Sequence, residues 1–135
     1  MRKQWNVFKR AILEGRVLSL PSLGVKDDLD REIWDEKDQL KPEIREKLLE
    51  IANDFWKNQN LDNVKVKDII FTGSLANYNW SNFSDIDLHI VIDYTSVNDD
   101  AELVRKYFNS IKSAWNRDHD IRIKDYEVEM YVQDY

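Results

Sequence analysis

The pattern of apolar and polar positions predicts three helices along the chain. Apolar residues at positions 5, 8, 11 and 12 recur at helical spacing and predict a first helix over residues 3–14. A second helix is predicted from Pro42, which suits the first turn because no amide N–H is needed there, to about Gln59. A third is predicted over about residues 100–114, capped by the polar residues 97–100. The apolar stripe of the second helix comprises Ile44, Leu48, Ile51, Ala52, Phe55 and Trp56, and that of the third comprises Leu103, Val104, Phe108 (or Tyr107) and Ile111.

Four segments carry the patterns of β-strands. Residues 64–72 alternate and then become continuously apolar at 69–71, which is typical of a strand covered on both faces. Residues 86–92 form a second predicted strand, after a connection with a short helical turn at 75–78 and a loop at 79–84. Following a turn at 116–120, residues 121–123 and 126–132 are predicted as strands joined by a tight turn at Lys124-Asp125. Together the elements predict an α+β fold, a small mixed β-sheet with flanking helices.

The length of 135 residues predicts one domain with two parts. Residues 1–40 would hold the N-terminal helix and a charged linker, and residues 41–135 the core. Ile33 and Trp34 are expected to pin the linker to the core, while its run of charged residues is expected to be a solvated face.

Composition limits the functional classes. Cysteine is absent, which excludes disulfides and thiolate metal sites. No apolar run approaches the roughly 20 residues of a membrane span, and the N-terminus lacks the apolar core of a signal peptide. We therefore expect a cytoplasmic protein without membrane contact. The net charge of −6 lacks the basic footprint of a nucleic-acid-binding surface, although local basic patches remain compatible with it.

Two short motifs flank the connection between the first two strands. Gly73-Ser74 ends the first strand, where a glycine lets a ligand approach the backbone and a following helical turn offers amide N–H groups to an anion. Asp85 and Asp87 begin the second strand, and residues two apart on a strand point to the same side. A divalent cation such as Mg²⁺ would relieve the repulsion between these carboxylates. The alternatives are a turn without a ligand and a solvated strand start.

The last strand offers a third acidic residue. Its alternation places Glu127, Glu129 and Tyr131 on one face, opposite three apolar side chains. Either glutamate could ligate a metal or accept the proton of an attacking hydroxyl, or could simply face water. We prefer Glu129, because it lies deeper in the apolar alternation.

The combined motifs resemble the nucleotidyltransferase superfamily, which has the polymerase-beta-like fold. The resemblance covers residues 64–132, and it is strongest to small, largely predicted nucleotidyltransferases, including bacteriophage-encoded ones. Its motifs are Phe71-Thr72-Gly73-Ser74, Ser84-Asp85-Ile86-Asp87-Leu88 and Val128-Glu129-Met130-Tyr131.

The resemblance implies a role for each motif. Gly73 and Ser74 would hold the terminal phosphates of a nucleoside triphosphate (NTP). Asp85 and Asp87 would bind two Mg²⁺ (or Mn²⁺) ions, and Glu129 would complete the second metal site and activate an acceptor hydroxyl. A nucleoside monophosphate would then pass to the acceptor, which could be an RNA 3′ end, a protein side chain or a small molecule, with release of pyrophosphate.

The chain also departs from the family pattern. Many relatives carry an arginine and a glycine soon after the Gly-Ser pair, whereas this chain has Leu75-Ala76-Asn77-Tyr78, so a cationic phosphate contact would come from elsewhere. A catalytically weak or inactive binding module, serving as an antitoxin-like partner or a nucleotide sensor, is the alternative function. Among other candidates, His89 is expected to be a packed histidine and His119 to lie in a solvated turn. Tyr78, Trp80 and Phe83 could stack on a base or anchor their own loop, and for Phe83 we prefer the anchor.

Overall fold

The computed structural model describes residues 25–135, so the helix predicted over residues 3–14 lies outside the described part of the chain. Each helix and strand predicted within residues 41–135 is present, and the fold is α+β. None of the helices in the described residues is long and apolar enough to cross a membrane. The elements are α1 (Pro42–Lys57), β1 (Val66–Thr72), β2 (Ile86–Ile92), α2 (Ala101–Asp118), β3 (Arg122–Ile123) and β4 (Tyr126–Asp134), with 3₁₀ turns at Ser74–Ala76 and Tyr94–Ser96.

The four strands form one mixed sheet in the order β1-β2-β4-β3. β1 runs antiparallel to β2, with Thr72 opposite Asp87. β2 runs parallel to β4, with Asp87 opposite Glu129, and α2 provides the long connection that two parallel strands require. β3 and β4 form an antiparallel hairpin. Lys124 and Asp125 join them with φ angles of 52° and 67°, which confirms the predicted tight turn.

The sheet has one buried face and one partly exposed face. Because side chains alternate along a strand, Ile86 and Leu88 enter the core together with Val128 and Met130. The alternate positions of β2 and β4 face the other way and are partly exposed: Asp87, His89, Glu129 and Tyr131. The carboxylates thus lie on the side of the sheet away from these core residues.

Helix α2 differs from the prediction in the residue at which it ends and in the residues that it buries. The helix continues to Asp118 instead of ending near 114, so the predicted turn over residues 116–120 is wrong at its start. The reason is Trp115, which continues the stripe of Phe108 and packs edge-on against Phe55 with ring centres 5.2 Å apart. Leu103, predicted to be buried, is 54% exposed. Asp100 caps the helix as predicted, accepting the Leu103 amide at 3.1 Å.

Residues 25–40 pack against the core, and their charged run is not wholly solvated. Ile33 and Trp34 are buried as predicted, and the Trp34 ring stacks on Phe71 with centres 5.6 Å apart. The prediction that the charged run is a solvated face is wrong at Asp30. This residue is buried and accepts a hydrogen bond from the Tyr126 hydroxyl at 2.5 Å. A buried carboxylate needs such a partner to offset the loss of water.

Candidate functional site

Gly73 brings the backbone directly against Asp87. Its φ of +88° lies in the region that favours glycine. A Cβ atom at this position would lie 2.5 Å from Asp87 Oδ2, closer than non-bonded atoms approach. The residue is therefore required both by the turn that ends β1 and by the carboxylate beside it.

Ser74 opens the 3₁₀ turn and is tied to the connection before Asp85. Its Oγ lies 2.5 Å from Ser84 Oγ, which also accepts the Ser81 amide at 2.9 Å. Ser84 stands in the quoted motif with Asp85 and Asp87, but the sequence analysis gave it no role. The hydrogen bond fixes the start of β2 relative to the Gly73-Ser74 turn.

Asn77 closes the same turn from within the protein. Its side chain is only 1% exposed, and Nδ2 donates to the Gly73 carbonyl at 3.4 Å. Its Oδ1 is buried and has no hydrogen-bond partner among the described residues. Such unsatisfied polar atoms are rare in folded proteins.

The register of the sheet places three carboxylates at neighbouring positions. Asp85 directly precedes β2, Asp87 lies within it, and Glu129 is the register partner of Asp87 on β4. Adjacent strands are about 4.8 Å apart, so Asp87 and Glu129 are direct neighbours. Glu127 lies one step earlier on β4, opposite Arg122 of β3.

The carboxylates repel one another. Burial raises the pKa of Asp87 to about 6, with further contributions from the negative charges of Glu129 and Asp85. Burial and the charge of Glu129 also raise the pKa of Asp85. Neither aspartate forms an ion pair or accepts a hydrogen bond from any residue in the range 25–135. Their negative charges are thus held close together without compensation from direct contacts.

Glu129 is oriented by its own strand. Tyr131, two residues later, donates its hydroxyl to Glu129 Oε2 at 2.7 Å. Burial, this hydrogen bond and the surrounding carboxylates all raise the pKa of the Tyr131 phenol, which keeps it a donor. His89 stacks on the Tyr131 ring with centres 4.7 Å apart and contacts Gln133 through Nδ1 at 2.7 Å, so it is the packed histidine that was predicted.

The donor set suits a hard divalent cation. Its atoms are all carboxylate oxygens, the ligands that Mg²⁺ prefers. Burial and then carboxylate repulsion raise the pKa of both aspartates, and a bound cation would relieve the repulsion. In the described part of the chain, no three histidine or acidic side chains already converge as a group that could hold an ion. The chemistry of the residues, their register and the close approach of Gly73 fit such a cation.

Among the aromatic residues of the connection, Trp80 and not Phe83 anchors the loop. Phe83 is 88% exposed, so the prediction that it anchors its loop is wrong. Trp80 fills that role, since its Nε1 donates to the Asp28 carbonyl at 2.9 Å and Lys26 Nζ lies 4.9 Å from its ring centre. His119 stacks on Trp115 with centres 3.7 Å apart and follows the last turn of α2, a contact that the prediction of a solvated turn did not include.

Comparison of the chain with known protein families, curated proteins and solved structures finds no significant match.

Proposed function

We propose that the protein is a metal-dependent nucleotidyltransferase with a polymerase-beta-like fold. One observation carries the proposal: the backbone of Gly73 lies against Asp87 at the point where Asp87 pairs with Glu129. A turn suited to phosphate and a set of carboxylates suited to Mg²⁺ are thereby adjacent. Nucleotidyl transfer from a Mg²⁺-bound triphosphate requires both features side by side.

Each group has a distinct role in the proposed reaction. The Gly73-Ser74 turn would hold the terminal phosphates of the NTP through its amides and the Ser74 hydroxyl. Asp85, Asp87 and Glu129 would hold Mg²⁺ or Mn²⁺. When bound, the ions would neutralise phosphate charge and stabilise the attacking and leaving oxygens. The positions of the three carboxylates would determine where the ions bind.

The proposed reaction transfers a nucleotidyl group to the acceptor and a proton to the protein. The acceptor hydroxyl oxygen forms a bond to the α-phosphorus, the bond from that phosphorus to the α,β-bridging oxygen breaks, and pyrophosphate leaves. Glu129 would take the hydroxyl proton. The hydrogen bond from Tyr131 engages Oε2 of Glu129 and fixes the orientation of the side chain. The other oxygen, Oε1, would then accept the proton.

Glu129 is a better third acid than Glu127. Glu129 is opposite Asp87 in register, and its charge contributes to the raised pKa of both aspartates. Glu127 is opposite Arg122 in the hairpin register, and its charge is not among the causes that raise either aspartate pKa. Glu129→Gln should therefore abolish transfer, whereas Glu127→Gln should retain it.

Thermal unfolding with each NTP, with and without Mg²⁺, tests the proposal. A ligand present at 100 times its Kd stabilises a protein by about 2.7 kcal/mol, so a Mg²⁺-dependent shift should be plain. Asp87→Asn should lose the shift, while Asp62→Asn, a change at an exposed turn residue, should keep it. A folded wild type without a shift for any NTP contradicts the proposal. A shift without Mg²⁺-dependent pyrophosphate release with any acceptor would instead favour the binding module.

A further inference from the structure

Lys112 places a cation beside the carboxylates without pairing with them. Its Nζ lies 4.2 Å from the centre of the Tyr131 ring, and the Tyr131 hydroxyl contacts Glu129. Among the described residues, the Lys112 ammonium takes part in no ion pair. Its N–H donors therefore remain available to another anion.

The position of Lys112 is set by a fixed contact of α2. Asn116, one helical turn later, donates to the Met130 carbonyl at 3.2 Å and accepts the Met130 amide at 3.0 Å. These two bonds hold the helix against β4, one residue from Tyr131. Lys112 thus projects over the carboxylate face from a rigid element.

Arg122 supplies a second cation on the same side. It lies on β3, the strand beyond β4, opposite Glu127. Burial and the neighbouring carboxylates raise the pKa of Asp85 and Asp87, and the charges of Arg122 and Lys112 partly oppose this rise at Asp85 and Asp87 respectively, so both cations act on the site. Arg122 is exposed and pairs with Asp120 at 3.1 Å, an interaction that is weak at a protein surface.

The strand order separates these cations from the Gly73-Ser74 turn. That turn follows β1, whereas Lys112 lies over Tyr131 of β4 and Arg122 lies on β3, with β2 between them and the turn. At about 4.8 Å per strand, β1 and β4 are about 10 Å apart. Terminal phosphates held at the Gly73-Ser74 turn would therefore lie on the β1 side of β2, whereas the two cations lie on its β4 side.

We propose that Lys112, assisted by Arg122, binds a phosphate group of the acceptor. This inference rests on the proposed function and narrows its acceptor to a hydroxyl with a phosphate nearby, as at the 3′ end of a short single-stranded nucleic acid. An uncharged protein side chain would leave Lys112 without an anionic partner among the described residues and Arg122 with Asp120 alone. The net charge of −6 restricts the favourable contact to the few nucleotides at the site.

Binding of a fluorescent, short single-stranded oligoribonucleotide tests the assignment. Anisotropy is measured with wild type, Lys112→Ala, Lys112→Arg and Lys106→Ala, with and without Mg²⁺ and a non-hydrolysable NTP analogue. Lys106 is an exposed residue of the same helix and serves as the matched control. We expect about tenfold weaker binding and a salt slope reduced by about one for Lys112→Ala. Lys112→Arg and Lys106→Ala should remain near wild type.

The outcomes separate this inference from the proposed function. Wild-type affinity in Lys112→Ala, or NTP binding without oligoribonucleotide binding by the wild type, overturns the inference and leaves the proposed function standing. The same holds if Lys112→Ala weakens NTP binding alone, because Lys112 then belongs to the triphosphate subsite. Failure of the wild type to bind any NTP removes the proposed function itself. Unfolding of each ligand-free variant checks its fold, and Lys112→Gln replaces Lys112→Ala if the shorter side chain destabilises α2.

Discussion

At the scale of single residues, Gly73 combines two demands that no other amino acid satisfies. Gly73→Ala would place a methyl group 2.5 Å from Asp87 Oδ2 and hold a non-glycine residue at φ +88°. We expect a loss of about 1–3 kcal/mol in the free energy of unfolding, measured by chemical denaturation, together with loss of NTP binding.

A double variant separates the two causes. Asp87→Ala removes the carboxylate that a methyl group at position 73 would meet, but it leaves the backbone strain. Gly73→Ala should therefore be less destabilising in the Asp87→Ala background than in the wild type. Equal effects in both backgrounds would mean that only the φ angle requires glycine.

Asp87 gives the stability of the protein a predictable pH dependence. Its pKa is about 6 in the folded chain against an ordinary value of 3.8, so the folded state binds the proton more tightly than the unfolded state. Stability therefore falls as pH rises from about 4 to about 6, because ionisation costs more in the folded state. Asp87→Asn removes this cost and should stabilise the metal-free protein at pH 7 by about 1 kcal/mol, allowing for screening by solvent.

Thermal unfolding of both proteins across pH checks the sign. The advantage of Asp87→Asn should shrink below pH 6 and vanish near pH 4. Asp62→Asn, an exposed control, should follow the wild type throughout. A variant that is less stable than the wild type at pH 7 would show that Asp87 contributes to folding through contacts that its charge does not explain.

At the scale of elements, helix α2 completes the edge of the sheet. β3 pairs only with the first two residues of β4, so the Met130 amide and carbonyl face away from any strand. The Asn116 side chain bonds to both groups, as a neighbouring strand would. Asn116→Ala should cost about 1–3 kcal/mol in the free energy of unfolding, since both backbone groups lose their partner.

Chemical denaturation measures this cost, with Asn109→Ala on an exposed position of the same helix as control. The control should be neutral or slightly stabilising, because alanine is the better helix former. If the two variants were equally stable, water would be replacing Asn116 at the strand edge.

The elements were largely predictable because each depends on local patterns. The alternation of residues 86–92 predicted β2 with its observed bounds, and the turn residues 124 and 125 adopt the positive φ angles that a two-residue hairpin needs. The end of α2 was not predictable, because its last turn is stabilised by Trp115 packing against Phe55, which is distant in sequence. The burial of Asp30 likewise depends on a partner 96 residues away.

Some residues of the candidate site were likewise predictable from the sequence, and others were not. Gly73, Ser74, Asp85 and Asp87 were identified because their spacing is visible along the chain, and Glu129 because strand alternation places it on one face. Ser84 and the two cations were missed as site residues, since their positions depend on a hydrogen bond, on strand order and on helix packing. The preference for Glu129 over Glu127 is supported by the register of β2 and β4, in which Glu129 is opposite Asp87. The sequence does not specify this register.

At the scale of the whole molecule, the segment before α1 supports the turn at the candidate site. Trp34 donates its Nε1–H to the Leu75 carbonyl at 2.7 Å, and Leu75 lies in the 3₁₀ turn that begins at Ser74. The amides of Ala76 and Asn77 close that turn through bonds of 3.1 and 3.0 Å to Gly73 and Ser74. Loss of the indole donor should therefore loosen the turn from a distance of about forty residues in sequence.

Trp34→Phe keeps an aromatic ring against Phe71 but removes the indole donor. We expect faster hydrogen exchange at the Ala76 and Asn77 amides, a loss of about 1–3 kcal/mol in unfolding free energy, and weaker binding of Mg²⁺-NTP. Trp56→Phe is the matched control, because Trp56 lies on α1 and stacks on Phe108. If Trp34→Phe lowered stability but left exchange at the two amides at the rate seen in Trp56→Phe, the segment would contribute to the core alone. Faster exchange confined to the turn would instead show that residues 25–40 hold the Gly73-Ser74 backbone in position against Asp87.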